Sequence, residues 1–382
     1  MTKNTFKITI VGGGPVGLFL GICLSKQGID CAILEQRAEP VPDSRSLGIH
    51  PVSLELFRKT NIASKFLDAG IHIKKGLAHN GKRLLGSINF EQLERPYNFI
   101  LACPQFETEK ILREHFLALN PQGLITEALV TNIEENMDEA ICYYQKDGKE
   151  LSLSSTYVVG CDGKNSLVRQ QSGIFYGGTK YPDTYIMGDF EDNTTIGDNA
   201  VVFLPKQGLI ESFPLPNQMR RWVVKTDSLV EKPTAQLISE ITLHRIDHDL
   251  KNLKNTMLSS FNVQYFEAEC FFKNRVLLCG DAAHVVSPIG GQGMNLGWIG
   301  AWVLAKALSE INIYPEQETE FLLGFQNQQK NIVKKASRRA EWNMRIGRKQ
   351  RFPIYRELFV RLLLNSPLNK VAAQKFAMKG LT

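Results

Sequence analysis

The sequence predicts an α/β protein in which a parallel, three-layer sheet carries an inserted sheet-rich segment and a helical segment follows. Three observations predict it. A β-branched run, KITIV, passes through a glycine cluster into a helix-like stretch over residues 16–27, then into a second apolar run, CAILEQ. Between residues 181 and 272 the texture becomes short extended runs (TYIMGDF, NAVVFLPKQGLIESFPL, RRWVVK) separated by Gly, Pro and Asn. From Met294 onward the pattern is helical, with breaks such as Pro315 and Pro353. Strand–turn–helix–strand alternation implies a parallel sheet, whereas clustered strands with turn residues imply a separate sheet-rich module.

Each element has its own signal. Gly28 ends the first helix, and Pro40, Pro42, Asp43 and Ser44 mark a loop before SRSLGIHPVSLELFRKTN, whose second half has helical spacing through Leu54 and Phe57. Residues 107–119, ETEKILREHFLAL, read as an amphipathic helix, and residues 234–247 as a helix within the strand-rich part. RVLLCGD, residues 275–281, returns to a buried strand.

Composition bounds the function. With 382 residues, 43% hydrophobic and 22% charged, the chain has apolar material for two or three domains. Its seven cysteines are odd in number and contain no CxxC pair, so neither a disulfide framework nor a zinc site is expected. The uncharged run from Ile8 to Ser25 is broken by Gly12, Gly13, Gly14, Pro15 and Gly17, which suits a soluble motif better than a leader or a span. A cytoplasmic setting is the expectation. The net charge of +6 is uneven: residues 330–382 hold fourteen Lys and Arg against Glu341 and Glu357, leaving the rest net negative. A solvated helical face explains this, and so does attraction to a membrane surface, an acidic carrier or a nucleotide's phosphates. No nucleic-acid motif accompanies the charge.

Two motifs carry chemistry. Gly12, Gly14 and Gly17 form G-x-G-x-x-G between a strand and a helix. The first glycine makes the tight turn, the second lets a pyrophosphate approach the backbone, and the third packs helix on strand. The helix start, with Pro15 and Val16, offers free N–H groups to phosphate. Glu35 ends the second strand where a carboxylate accepts from a ribose, with Arg37 beside it. Alone this supports a dinucleotide, NAD as readily as FAD. The second motif is GDAAHVVSPIGGQGMN: Asp281 at a strand end suits a polyol hydroxyl, and Pro288, Gly290, Gly291 and Gly293 lead into a helix at Met294 and Asn295.

Together with Cys161-Asp162-Gly163-Lys-Asn-Ser166-Leu-Val-Arg169, these motifs resemble the class A flavoprotein monooxygenases, the p-hydroxybenzoate hydroxylase-like family, over nearly the whole chain. Arg45 resembles that family's phosphate-contacting arginine, and Gln105 its flavin contact at a helix start. The resemblance implies a Rossmann-like FAD-binding domain (1–75, 100–180 and 270–330), an inserted substrate domain (76–99 and 181–269) and a basic C-terminal helical segment (331–382). It implies FAD as cofactor, NADPH or NADH as transient co-substrate, and transfer of one oxygen atom from O2 through a flavin C4a-hydroperoxide. Gly300 departs from the family, which commonly has an acid there, and a thioredoxin-like C-terminal domain is not expected.

Substrate residues are less legible. Tyr185, Met187, Phe203, Phe213 and Trp222 come from the strand-rich part and are candidates to line an apolar pocket for an aromatic or polycyclic molecule. No catalytic residue is assigned, and no metal is expected: His244 and His248 are spaced i, i+4 but lack a third ligand. His284 reads as structural. An antibiotic-inactivating oxygenase, a prenyl-chain reductase and a flavin-binding protein without turnover stay open as alternatives, and the oligomeric state is open.

Overall fold

A computed structural model of the protein describes residues 4–41 and 46–381. The first sheet runs Phe272–Lys273, Val276–Leu278, Lys149–Gly160, Thr5–Val11, Cys31–Glu35, Leu124–Thr126, the first pair antiparallel and each following pair parallel. Ile8, Ile10, Ile33, Val158 and Leu277 are fully buried, as expected of apolar runs covered on both faces. The helices Pro15–Lys26, Gln105–Leu119 and Gln292–Ile313 pack on one another against it. Gly21 lets them approach, because a Cβ there would lie 2.8 Å from both Ile33 and Phe116 side chains. The strand Lys149–Gly160 serves twice: its second half joins the parallel sheet, and its first half pairs antiparallel with Ala140–Lys146, which pairs with Leu129–Glu135.

The second sheet has the order His284–Val285, Asn255–Ala268, Tyr176–Glu191, Met219–Thr226, Ile210–Leu215, Ala200–Phe203, Lys75–His79, Leu84–Asn89. Side chains alternate between its faces. One face, with Ile186, Phe190, Ile210, Trp222 and Val224, packs with Ile238 of the helix Ala235–Ile246. The other carries Tyr185, Met187, Leu204 and Val223 and packs with Met344, Val360, Leu364 and Ala373 from the last helices, Glu318–Gly347, Pro353–Leu364 and Leu368–Phe376. A single helix runs through residues 330 and 331, where the basic segment was expected to begin.

Part of that segment's charge is structural. Arg348 grips the buried Asp183 through both carboxylate oxygens, at 2.6 and 3.1 Å, and Lys225 lies 3.2 Å from the same carboxylate. The buried Arg356 donates to the carbonyls of Leu204, Pro205, Ile346 and Arg348. These bonds fasten the C-terminal helices to the second sheet.

Candidate functional site

The glycine turn is built from close backbone contacts. Gly12 takes φ +105°, donates to the carbonyl of Leu34 at 2.8 Å, and has no room for a side chain: a Cβ would lie 2.5 Å from the carbonyl oxygen of Cys161. A Cβ on Gly17 would lie 2.0 Å from the Gly12 oxygen, so the third glycine packs the helix onto the turn. A Cβ on Gly14 would meet nothing, because Gly14 faces open cavity. Glu35 is positioned by three donors: the Gly13 N–H reaches Oε2 at 2.7 Å, and the Arg37 N–H and Nε–H reach Oε1 at 3.0 Å each. Oε2 keeps acceptor capacity for a hydroxyl.

The second glycine-rich turn comes up beside the first. Trp298 donates to the carbonyl of Pro15 at 3.0 Å, and Gly297 and Gly280 sit against Val16. Gly290 and Gly291 take φ +90° and +65°, after which the helix Gln292–Ile313 begins with its amide groups toward the turn. Asn295 lies behind the cavity wall. Its Oδ1 accepts from the His50 N–H and the Ser53 hydroxyl, and its Nδ2 donates to the carbonyls of Gly48 and Gly291, clamping one segment to the other. Asp281 opens onto the cavity, where the depth of the surrounding wall pushes its carboxyl up from 3.8 to about 6 and Lys164 pulls it partly back. At Gly300 the Gln329 side chain takes up the space beside the helix. A Cβ there would lie 3.0 Å from the Gln329 amide, which bonds the Leu296 carbonyl and the buried His284 ring. Burial lowers His284 to about 4, so it sits neutral inside the core.

The Asp162 motif joins both turns. Asp162 accepts from the Val168 N–H at 3.2 Å, and its other oxygen, beside the cavity, is buried with no partner among the described residues. Arg169 donates to the carbonyls of Lys164 and Ala282 and stacks on Tyr176. Gln105 starts its helix on the cavity wall and donates to Glu109 at 2.8 Å. Arg45 lies outside the described residues.

A cavity of about 1150 Å³ unites these parts. Its wall includes Gly12, Gly14, Pro15, Val16, Glu35, Arg37, Gln105, Asp281, Pro288, Gly291, Gly293 and Met294. It continues onto the second sheet at Met187, Val202, Phe213 and Val223, and the last helices contribute Trp342, Val360 and Leu364. Of the expected substrate residues, Met187 and Phe213 face it. Phe203 and Trp222 do not: strand alternation turns Trp222 to the opposite face, where it stacks on Phe203 and His248. Tyr185 is fully buried behind the wall, stacked on Phe261 at 5.3 Å. Two residues that sequence reasoning missed, Glu211 and Arg221, line the cavity. Among the described residues no group of His, Cys, Asp or Glu is gathered to hold a metal.

The donor set fits a flavin dinucleotide. A side-chain-free cradle at Gly12 and Gly14, two helix starts, a carboxylate with spare acceptor capacity and a half-satisfied Asp162 meet along one cavity, which defines a dinucleotide-binding flavoprotein. Comparison with known proteins agrees. A family model described as FAD binding domain matches residues 5–340, and the chain belongs to that family, with FAD as cofactor. Rifampicin monooxygenase of Streptomyces venezuelae is 31% identical over 303 residues, covering 76% of this chain and 61% of that protein. Pentachlorophenol 4-monooxygenase of Sphingobium chlorophenolicum is 29% identical over 76% of this chain and 55% of its own length. The chain thus spans little more than half the length of these curated relatives. Among solved structures, p-nitrophenol 4-monooxygenase from Pseudomonas putida shares the fold with a TM-score of 0.89 at 19% identity, over 98% of each chain. An anhydrotetracycline hydroxylase from Streptomyces rimosus gives 0.80 at 26% identity, over 98% of this chain and 76% of the other.

Proposed function

We propose that the protein is an FAD-dependent monooxygenase that consumes NADH or NADPH and inserts one oxygen atom of O2 into an aromatic or polycyclic molecule. The observation that carries this reading is one cavity joining the dinucleotide turn to an apolar sheet face. Relatives named for phenolic and polycyclic substrates support it. Backbone groups at Gly12, Gly14, Pro15 and Val16 hold the pyrophosphate. Glu35 and Arg37 hold a ribose, Asp281 accepts from a polyol hydroxyl, and the turn at Pro288, Gly291, Gly293 and Met294 adjoins the ring. Gln105 adds a contact at its helix start, and Gly17 and Asn295 act by packing and clamping. Bound FAD supplies hydride acceptance and oxygen activation. Met187, Phe213 and Val223 exclude water and orient a flat apolar substrate.

The test is NADH and NADPH oxidation by the purified, FAD-loaded protein with a panel of phenols, quinolones and tetracyclic compounds. Stimulation coupled to O2 uptake is expected from one class. FAD-loaded protein that no compound stimulates would contradict turnover, and reduction of a prenyl double bond without O2 uptake would make it a reductase.

The partner proposed for the C-terminal face is an anionic lipid surface. On the helix Pro353–Leu364, Ile354, Tyr355, Leu358, Phe359 and Leu362 form an exposed stripe, with Arg351, Phe352 and Arg361 also exposed. Val360 and Leu364 of the same helix line the cavity, so one helix separates lipid from substrate space. A symmetric dimer through this face would oppose like charges. Among the described residues no helix is long and apolar enough to cross a membrane, so this contact lies in the interface plane.

A further inference from the structure

Glu211 is an ionisable group that the account above does not use. It sits on the strand Ile210–Leu215 between Val202 and Val223, both of which line the cavity. Only 8% of Glu211 is exposed, and it lines the cavity. Tyr185 lies behind this wall, where burial first and then the Glu211 charge raise its phenol. Buried polar groups are rarely left unpaired, because each forfeits its hydration. Arg221, on the same wall, is held by Asp189 through bonds of 2.6 and 2.8 Å, and Lys225 and Arg348 are held by Asp183. The other polar lining here, Ser260 and Asn262, is neutral. Among the described residues these cations already have carboxylate partners, so none of them is set aside for a ligand's carboxylate.

We propose that Glu211 forms a polar subsite that takes a hydrogen-bond-donating group, a hydroxyl or amine on an otherwise apolar ring system, and rejects carboxylates. This rests on the substrate cavity being that of the proposed monooxygenase. Glu211 accepts from the ligand's donor at the cavity wall. Burial alone lifts the Glu211 carboxyl to about 7, so ligand pairing relieves an unmet desolvation cost. An incoming carboxylate would instead meet a second anion in an apolar wall.

Matched probes on one scaffold test this: naphthalene, 2-naphthol, 2-naphthylamine and 2-naphthoate, titrated into the FAD-loaded protein at pH 8 by calorimetry. The parent is expected to bind 2-naphthol and 2-naphthylamine about tenfold or more tighter than 2-naphthoate. Glu211→Gln should narrow that gap about tenfold, and Glu211→Leu should erase the advantage of 2-naphthol over naphthalene. Equal binding of 2-naphthoate and 2-naphthol by the parent, or ratios unchanged in both Glu211 variants, would overturn the subsite. Flavin absorbance of each variant separates the outcomes: absent flavin in the parent defeats the monooxygenase reading, whereas retained flavin without discrimination defeats the subsite alone.

Discussion

Substituting alanine for the second and third glycines of the turn should separate packing from cofactor binding. At Gly17 the added methyl would lie 2.0 Å from the Gly12 carbonyl oxygen and 3.3 Å from the Cys161 side chain. The obstruction is backbone, so helix and turn must move apart by more than an ångström. That places Gly17→Ala at the upper end of overpacking costs, about 3 kcal/mol. At Gly14 the methyl meets no protein atom, and φ of −74° suits alanine, so only the helix N-cap suffers, at about 1 kcal/mol or less. Yet that methyl points where the pyrophosphate approaches, and FAD affinity should fall about tenfold or more. Urea unfolding of the apoproteins and FAD titration followed by flavin fluorescence read the two effects separately. Gly17→Ala with parental stability would refute the close-packing argument. Gly14→Ala with parental FAD affinity would show that the pyrophosphate lies elsewhere.

Other predictions follow from buried charge and exposed apolar surface. Glu211 titrates near 7 in the folded chain against 4.5 for a free carboxyl, so the folded state holds its proton longer. Its stability contribution is full below pH 4.5 and declines as pH rises through 7, by ~3 kcal/mol at most. Glu211→Gln should therefore gain stability over the parent between pH 5 and pH 8, and an equal difference at both pH values would reject the shift. Arg356→Met would strand four carbonyls that Arg356 now satisfies and should cost about 3 kcal/mol in urea unfolding. An unchanged midpoint would mean that the C-terminal helices are held by apolar packing alone. Leu358→Ser with Leu362→Ser should reduce co-sedimentation with phosphatidylglycerol-containing vesicles about tenfold without changing stability. Vesicle binding that ignores this change and added salt, or a stable dimer in place of binding, would dismiss the lipid surface.

The dinucleotide half of the molecule was legible because its motifs are local. Gly12, Gly14, Gly17 and Glu35 lie within one strand–turn–helix–strand unit, and the helix expected over 107–119 forms as Gln105–Leu119. The substrate face was harder because period-two alternation does not say which face is inward when both are apolar. In the strand Met219–Thr226, Trp222 and Val224 pack beneath a helix while Arg221 and Val223 reach the cavity. Nothing in ESFPL announces that Glu211 is buried. In the basic C-terminal segment, Arg348 pairs with Asp183, a partner 165 residues upstream that no local pattern could reveal.

The most direct measurement is the visible spectrum of the purified protein after incubation with FAD and gel filtration. The account predicts a bound flavin spectrum at about one FAD per chain, released intact by denaturation. A colourless protein that takes up no FAD would contradict it.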